Sequence, residues 1–235
     1  MDKISIAIPT HDDRLQWFGQ TFRSLVHHRM IGEIIVSDDG SEQQVFDKIA
    51  REINSPKVKI IRNESRQGVF KNKIQAVMQC REKWVALLDS DNTFNIDYID
   101  AFLQCKDHYD INCPVKALPA FDYSKYSGTV MTARIAAESV GDPTFVMAIN
   151  TGNYIVDRER FLSVLKPMYH SGVMVPFCAD VLWMNYQLLS AGQAMYFVPG
   201  MQYQHLDHPN STYRIHRDRE PGATKYWLDK LGALK

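Results

Sequence analysis

The first hundred residues alternate between short runs of consecutive apolar residues and longer segments with apolar residues at helical spacing. Short β-branched and aliphatic runs are typical of buried strands, and apolar positions three or four apart are typical of helices packed on one face. The pattern predicts strands at residues 4–8, 33–37, 58–62 and 84–88, and helices at 16–30, 41–53 and 69–82. This alternation predicts an α/β fold in which a mostly parallel central sheet is flanked by helices.

The second half is less regular. Several prolines interrupt residues 113–149, which predicts irregular strands and loops there. Further on, the pattern predicts short strands at 154–156, 195–198 and 202–204, and helices at 158–165, 179–189 and 221–231. Because no repeat, low-complexity tract or linker divides the chain, we expect a single domain over residues 1–235, with a first half at 1–95 and a second at 96–235.

Composition and charge narrow the choice of partners. Lys and Arg together number 27, as do Asp and Glu, so the formal net charge is +0 and a nucleic-acid partner is not expected. The longest apolar runs are far too short to span a membrane, so no transmembrane segment is expected, while peripheral membrane contact stays open. The first residues show no signal-peptide pattern, and the four cysteines of the chain are scattered along it. Both observations favour a cytoplasmic location.

Acidic residues follow the predicted strands, at the edge where ligands bind in such sheets. Asp89-Ser90-Asp91 comes directly after the apolar run 84–88. Two carboxylates separated by one residue can face the same hard cation, Mg²⁺ or Mn²⁺, because such ions prefer oxygen ligands. The alternative is that Asp91 or Asn92 caps a helix near residues 94–103.

A second acidic turn, Asp38-Asp39-Gly40-Ser41, follows the predicted strand at 33–37. Carboxylates in such a place can accept hydrogen bonds from a ribose or a nucleobase N–H group. The alternative is a purely structural turn, in which Ser41 caps the helix that follows.

In their order along the chain, these motifs resemble those of the family 2 glycosyltransferases. The matching segments are residues 6–13 with Pro-Thr, residues 33–41 ending in Asp-Asp-Gly-Ser, residues 63–72 ending in Lys-Asn, and residues 84–92 ending in Asp-Ser-Asp-Asn. The resemblance covers about residues 3–95. Lys71-Asn72 stands where an Arg-Asn pair is usual in the family.

The resemblance implies a GT-A fold whose residues 1–95 bind a nucleoside diphosphate sugar, with UDP as the expected nucleotide. Asp91 would hold the diphosphate through Mn²⁺ or Mg²⁺, with Asp89 as a second metal ligand. The residues implied in nucleotide binding are Pro9, Thr10, Asp38, Asp39, Arg66, Lys71, Asp89 and Ser90.

In residues 96–235, the implied sugar- and acceptor-binding half, the resemblance is weaker. Gly152 and Asn153 resemble a segment that lies near the transferred sugar, and Asp180 resembles the catalytic base of inverting members, although Ala179 replaces the usual Glu. The alternative for Asp180 is a first-turn acid that the helix dipole stabilises. His205 and His208 are rival candidates for a histidine that completes the metal shell.

The sequence therefore predicts a metal-dependent glycosyltransferase that moves a sugar from a nucleotide-sugar donor to a glycan or other hydroxyl acceptor, with inversion. One alternative is a non-catalytic module that binds nucleotide sugars or glycans, which Ala179 favours. Another is a sugar nucleotidyltransferase, but such enzymes generally carry a glycine-rich basic segment after the first strand, where this chain has Pro9, Thr10, His11 and two aspartates.

Overall fold

The computed structural model describes residues 3–12, 18–94, 96–106, 108–206, 214, 216, 218 and 220–234. Strands and helices alternate over the first part, as predicted, and the predicted start of the first helix at residue 16 lies outside the described residues. The strands are β1 (Ile4–Thr10), β2 (Ile31–Asp38), β3 (Val58–Arg62) and β4 (Trp84–Leu87), and the helices are α1 (Phe18–His27), α2 (Gln43–Glu52) and α3 (Val69–Gln79).

The second part contains short strands and further helices. The strands are β5 (Thr93–Phe94), β6 (Ile111–Cys113), β7 (Lys116–Leu118), β8 (Phe121–Asp122), β9 (Val130–Met131), β10 (Ile155–Asp157), β11 (Met195–Phe197) and β12 (Gln202–Gln204). The helices are α4 (Ile96–Leu103), α5 (Ala133–Ser139), α6 (Pro143–Ile149), α7 (Arg158–His170), α8 (Asp180–Ser190) and α9 (Ala223–Gly232), with a 3₁₀ turn at Ser124–Tyr126.

The main sheet has eight strands in the order β3-β2-β1-β4-β10-β6-β11-β9. Strands β1 to β4 are mutually parallel, β11 is parallel to β6, and β10 and β9 are antiparallel to their neighbours. All seven residues of β1 are buried. Helices cover both faces of this sheet, so its residues do not alternate between a buried and a solvent-facing side. The mostly parallel α/β sheet predicted from the sequence is therefore confirmed.

A smaller sheet, in the order β5-β12-β7-β8, lies beside the main one. Strand β12 pairs in parallel with β7 and antiparallel with β5, which directly follows the Asp89-Ser90-Asp91 turn. This sheet brings residues near 117–123 and 203–205 to the edge of the main sheet where the acidic turns are.

The structure differs from the sequence prediction within residues 113–149, where α5 and α6 form in place of irregular strands and loops. The side chain of Thr132 caps α5, and that of Asp142 caps α6 by accepting the amide hydrogen of Thr144 at 3.0 Å. Pro143 stands in the first turn of α6, where a proline lacks only an N–H group that has no helical partner. The prolines that suggested loops are thus compatible with helices.

Both helix-cap alternatives are wrong. Strand β5 separates Asp91 and Asn92 from α4, so neither residue caps that helix. Ser41 does not cap α2, whose N-cap position is Glu42. The Ser41 hydroxyl instead donates to the Asp38 carboxylate and accepts the amide hydrogen of Asp12 at 2.8 Å.

The buried apolar residues form one continuous cluster that includes strands and helices of both parts. The boundary between a nucleotide-binding half at 1–95 and a sugar- and acceptor-binding half at 96–235 stays a prediction. Within the described ranges, no helix has the length and hydropathy that crossing a membrane requires.

Candidate active site

A pocket of about 520 Å³ lies at the carboxyl ends of β1, β2 and β4. Residues from both parts of the chain line it. The predicted site residues that it brings together are Pro9, Thr10, Asp39, Arg66, Asp89, Ser90, Asp91, Gly152, Asn153, Asp180 and His205. Three acidic residues that follow strands, Asp39, Asp89 and Asp91, therefore share one cavity, which is of the size that small-molecule ligands occupy.

Asp39 is buried at the end of β2, and its carboxylate is held firmly. Oδ1 accepts hydrogen bonds from Asn63 Nδ2 at 2.9 Å and from the Gln67 amide at 2.7 Å. Oδ2 accepts the Gly68 amide hydrogen at 2.9 Å. Backbone donors fix the position of this carboxylate in the pocket wall, and three of its roughly four lone-pair sites are used.

Asp38, which the resemblance also implied in nucleotide binding, does not line the pocket. Its Oδ2 accepts the Ser41 amide hydrogen at 3.2 Å and lies 3.5 Å from Arg62 Nε. Successive strand residues point to opposite faces, so only one of the two adjacent aspartates can face the cavity. Of the two interpretations of this acidic turn, the structural one applies to Asp38, because its carboxylate stabilises the turn.

Asn72 joins the ends of the two strands that carry the nucleotide motifs. Its Nδ2 donates to the Thr10 carbonyl at 3.1 Å and to the Ser37 carbonyl at 2.8 Å, and its Oδ1 accepts from Ser37 Oγ at 2.6 Å. A buried amide that satisfies three polar groups sets the spacing of β1 and β2 at the edge of the pocket.

Asp89 follows β4 in a turn in which its carbonyl accepts the Asn92 amide hydrogen at 2.9 Å. Asn153 contacts it twice: Asn153 Oδ1 accepts the Asp89 amide hydrogen at 2.9 Å, and Asn153 Nδ2 donates to Asp89 Oδ2 at 3.4 Å. The Tyr98 hydroxyl in turn donates to the Asn153 carbonyl at 2.5 Å. Asn153, implied as a sugar or acceptor contact, thus orients Asp89 while it lines the pocket.

Asp180 is the first residue of α8, far along the chain from the segments that resemble nucleotide-binding motifs. Its carboxylate Oδ2 lies 3.1 Å from Lys73 Nζ, and the same ammonium lies 3.3 Å from Asp89 Oδ1. Lys73 is 3% exposed and Asp180 is 8% exposed. A buried lysine thus bridges the acid that follows β4 and the acid that begins α8.

Burial and charge oppose each other in this group. Burial raises the pKa of Asp180 above its ordinary value; the positive charge of Lys73 counteracts this effect and the negative charge of Asp89 adds to it. Burial by itself would lower the pKa of Lys73, but the carboxylates of Asp180 and Asp89 outweigh it and raise that pKa above the ordinary value. Lys73 is therefore charged, and Asp180 holds a proton more readily than an exposed aspartate.

Three buried polar atoms of pocket-lining residues lack hydrogen-bond partners within the described part of the chain. They are Thr10 Oγ1, the Tyr123 hydroxyl oxygen and His205 Nδ1. An unsatisfied buried polar atom destabilises a fold by about 1–3 kcal/mol, so such atoms in a cavity wall point to a bound partner.

The residues of the predicted metal site are only partly assembled. Over the ranges that the structure describes, no three His, Cys, Asp or Glu side chains converge as a ligand set. Asp91 and His205 line the pocket, Asp89 is engaged by Lys73, and His208 lies outside the described residues. This donor set fits a cation that takes one or two carboxylates from the protein and its other ligands from substrate phosphates, as Mg²⁺ commonly does.

A family model described as "Glycosyl transferase family 2" matches residues 5–138, more than half of the 235-residue chain. The chain belongs to glycosyltransferase family 2. This finding confirms the resemblance found in the sequence, and it favours a glycosyltransferase over a sugar nucleotidyltransferase.

This family 2 glycosyltransferase is similar in sequence to a human enzyme and in fold to a bacterial protein. Human polypeptide N-acetylgalactosaminyltransferase 14 is 31% identical over 116 residues, which are 47% of this chain and 21% of that protein. The chain thus spans about a fifth of that relative's length. Staphylococcus aureus TarS 1–349 in complex with UDP-GlcNAc matches with a TM-score of 0.68 at 17% identity, over 93% of this chain and 61% of that one.

The same S. aureus protein in complex with UDP matches with a TM-score of 0.64 at 17% identity, over 88% of this chain and 61% of that one. At this level of identity the match establishes the shared fold. The expected GT-A architecture is therefore confirmed.

In the glycosyltransferase, Lys73 stands at the pocket where Lys71 was expected. Residues two apart point to nearly opposite sides of a helix, and Lys71 is half-exposed and does not line the cavity. A signal for Lys73 was present in the sequence, because it lies between Phe70 and Val77 on the apolar stripe of α3, where a charged residue is buried only if it is paired.

The segment before Asp180 is held by residues near the end of the chain. The Glu220 carboxylate accepts the amide hydrogens of Phe177 at 3.0 Å and Cys178 at 2.9 Å. The Phe177 ring stacks on His216 with ring centres 4.5 Å apart, and the Arg66 guanidinium carbon lies 6.0 Å from the centre of the Phe177 ring. Residues far apart in sequence thus fix the approach to Asp180.

Gly152 leaves the room that Lys73 occupies. A Cβ atom at Gly152 would lie 3.2 Å from Lys73 Nζ and 3.0 Å from Val181 Cγ2. We expect Gly152→Ala to lower the free energy of unfolding by about 1–3 kcal/mol, as overpacking of a buried site does.

Urea unfolding of the two proteins measures this difference. Gly141→Ala is the matched control, because a Cβ atom there meets nothing within 4 Å. Equal unfolding midpoints for Gly152→Ala and the unmodified chain would show that the neighbours of Gly152 move aside.

Proposed function

We propose that this glycosyltransferase transfers a sugar from a nucleoside diphosphate sugar, with UDP as the nucleotide, to a hydroxyl group of a glycan or other acceptor, with inversion. One observation carries the proposal: a single pocket contains Asp39, Asp89 and Asp91, which follow the nucleotide-side strands, together with Asp180 from the second half. Donor contacts and a general base are needed within one cavity for this reaction.

The relatives support the choice of donor. S. aureus TarS forms complexes with UDP-GlcNAc and UDP, and the human relative is named for the transfer of an N-acetylgalactosaminyl group. UDP-linked N-acetylhexosamines are therefore the first donors to test.

The nucleobase would bind between Pro9, Thr10 and Asp39. Asp39 has about one lone-pair site left after its three internal hydrogen bonds, which suits a single N–H group of the base. Thr10 Oγ1 offers a second polar contact that the described residues leave unused.

The diphosphate would lie near Ser90 and Asp91, with Arg66 at the rim of the pocket. We assign Mn²⁺ or Mg²⁺ to this position, held by Asp91 and by diphosphate oxygens, with a histidine ligand from His205 or His208. When bound, such an ion offsets the negative charge that develops on the leaving diphosphate.

Asp180 would accept the proton of the acceptor hydroxyl as its oxygen attacks the anomeric carbon. A carboxylate with a raised pKa takes up a proton more readily, which favours a role as general base. Attack from the face opposite the diphosphate in a single displacement inverts the configuration. We place this reaction in the cytoplasm, which the four unpaired cysteines favour.

A thermal-shift screen of nucleotide sugars with Mn²⁺ tests the donor assignment. A ligand present at a hundred times its dissociation constant stabilises the fold by about 2.7 kcal/mol, which for a chain of this size raises Tm by roughly 5–10 °C. We expect UDP-sugars to produce this shift and the free sugars, as controls, to produce none.

A donor that binds is then incubated with the protein, first alone and then with acceptor candidates, and release of UDP is followed. A donor that raises Tm but releases no UDP under either condition would favour the non-catalytic binding module. If no nucleoside diphosphate sugar raises Tm, the proposed function is wrong.

A further inference from the structure

Lys73 is a charged residue on a helix face that is otherwise apolar. Phe70, Ile74 and Val77 of α3 are buried around it, and Lys73 itself is 3% exposed. A lysine is taken out of water at this depth only when its ammonium is paired and hydrogen-bonded.

The ammonium has two carboxylate partners that come from separate parts of the chain. Asp89 Oδ1 lies at 3.3 Å and Asp180 Oδ2 at 3.1 Å, so two of its three N–H donors are directed at acids on the pocket wall. The two acids are 91 positions apart in sequence, and both line the pocket.

The surrounding residues keep the ammonium where it is. Asn153 holds the backbone and the carboxylate of Asp89, and Gly152 has no side chain to displace Lys73 Nζ. Without Lys73, Asp89 and Asp180 would face each other as like charges in a buried site, and each would be driven away from the other.

We propose that Lys73 is a positioning residue for sugar transfer, which fixes the carboxylate of Asp180 in the pocket by tying it to Asp89. It contacts the base and the donor-side acid and needs no contact with the sugar itself. This inference rests on the proposed function, in which Asp180 is the general base.

Lys73→Met removes the charge and keeps the length of the side chain. We expect kcat for transfer to fall by about 10²-fold, because a misplaced general base loses most of its effect, while KM for the donor stays within about threefold. Lys166→Met, at an exposed position of α7, is the matched control and keeps the kcat of the unmodified enzyme.

Chemical rescue distinguishes positioning from a general loss of structure. Lys73→Ala leaves space for a small primary amine. We expect ethylammonium to raise the kcat of Lys73→Ala at least about tenfold, with a saturable dependence on its concentration. Tetramethylammonium, which has no N–H donor, is the control and restores none.

A double variant keeps the test decisive if Lys73→Met does not fold. Asp180→Asn removes one of the two negative charges beside Lys73, so adding Lys73→Met leaves only the half-buried carboxylate of Asp89. We expect the double variant to retain the residual kcat of Asp180→Asn within about threefold, because residues that act as one unit are not additive.

Each outcome bears on a different claim. If the unmodified enzyme turns over no nucleotide sugar, the proposed function fails. If the enzyme is active and Lys73→Met keeps its kcat, or if the double variant falls by a further factor of about 10², Lys73 does not act through Asp180 and the inference is overturned.

Discussion

Asp180→Asn is expected to slow sugar transfer by about 10²–10⁴-fold, the range that a positioned general base contributes. The substitution is nearly isosteric, and the amide oxygen can still accept a hydrogen bond from Lys73, so the pocket keeps its shape. The proposed nucleotide contact at Asp39 lies at the end of β2, and the Asp39 carboxylate is held by hydrogen bonds that do not involve Asp180. Donor affinity should therefore stay within about threefold of the unmodified value.

Steady-state transfer rates and calorimetric donor binding measure the two quantities separately. Asp100→Asn, on the exposed side of α4, is the matched control. A variant at position 180 that transfers sugar at the rate of the unmodified enzyme would move the role of base to another residue.

The pH dependence of kcat/KM gives a second check on Asp180. Burial raises the pKa of Asp180 above its ordinary value of 3.8, and only the deprotonated form can accept a proton from the acceptor. As the pH falls through that raised pKa, the reactive form is lost. As the pH is lowered, we expect kcat/KM to begin to decline at a higher pH than an ordinary aspartate would give. In Asp180→Asn we expect kcat/KM to be independent of pH over that range.

Asp91→Ala is expected to abolish the part of donor affinity that depends on a divalent cation. Loss of one charged contact to the diphosphate site corresponds to about 10–100-fold in the dissociation constant measured with Mn²⁺. Asp91 lies at the pocket wall, next to the turn that Asn92 closes.

Calorimetric titration of UDP with Mn²⁺ and then with EDTA measures this effect. In the unmodified enzyme EDTA should weaken binding, whereas in Asp91→Ala it should change little. Asp100→Ala serves as the control. Equal UDP affinity with and without EDTA in the unmodified enzyme would contradict the metal assignment.

Much of the fold was visible in local patterns. The apolar runs that became β1, β2 and β4 lie in the middle of a sheet covered on both faces, so burial requires consecutive apolar residues and leaves a clear signal. The short strands β5, β7 and β8 and the helices α5 and α6 left a weaker one, because their capping residues and prolines are compatible with turns as well.

For the same reason, the residues of the site could be predicted only in part from the sequence. Asp39, Asp89, Asp91 and Asp180 were found because each follows a strand or begins a helix in a recognisable motif. The distinction between Asp38 and Asp39 depends on which face of β2 turns towards the cavity, and the choice of Lys73 over Lys71 depends on how α3 is rotated against the sheet.

Sequence patterns alone were sufficient to establish the alternation of strands and helices, the acidic edge and the likeness to family 2 glycosyltransferases, since each is encoded within a few neighbouring residues. The pairing of Lys73 with both Asp89 and Asp180, and the fixing of Asp89 by Asn153, emerged only in the folded chain. Such contacts join segments up to 107 positions apart, and their formation depends on packing, distance and burial that no local pattern contains.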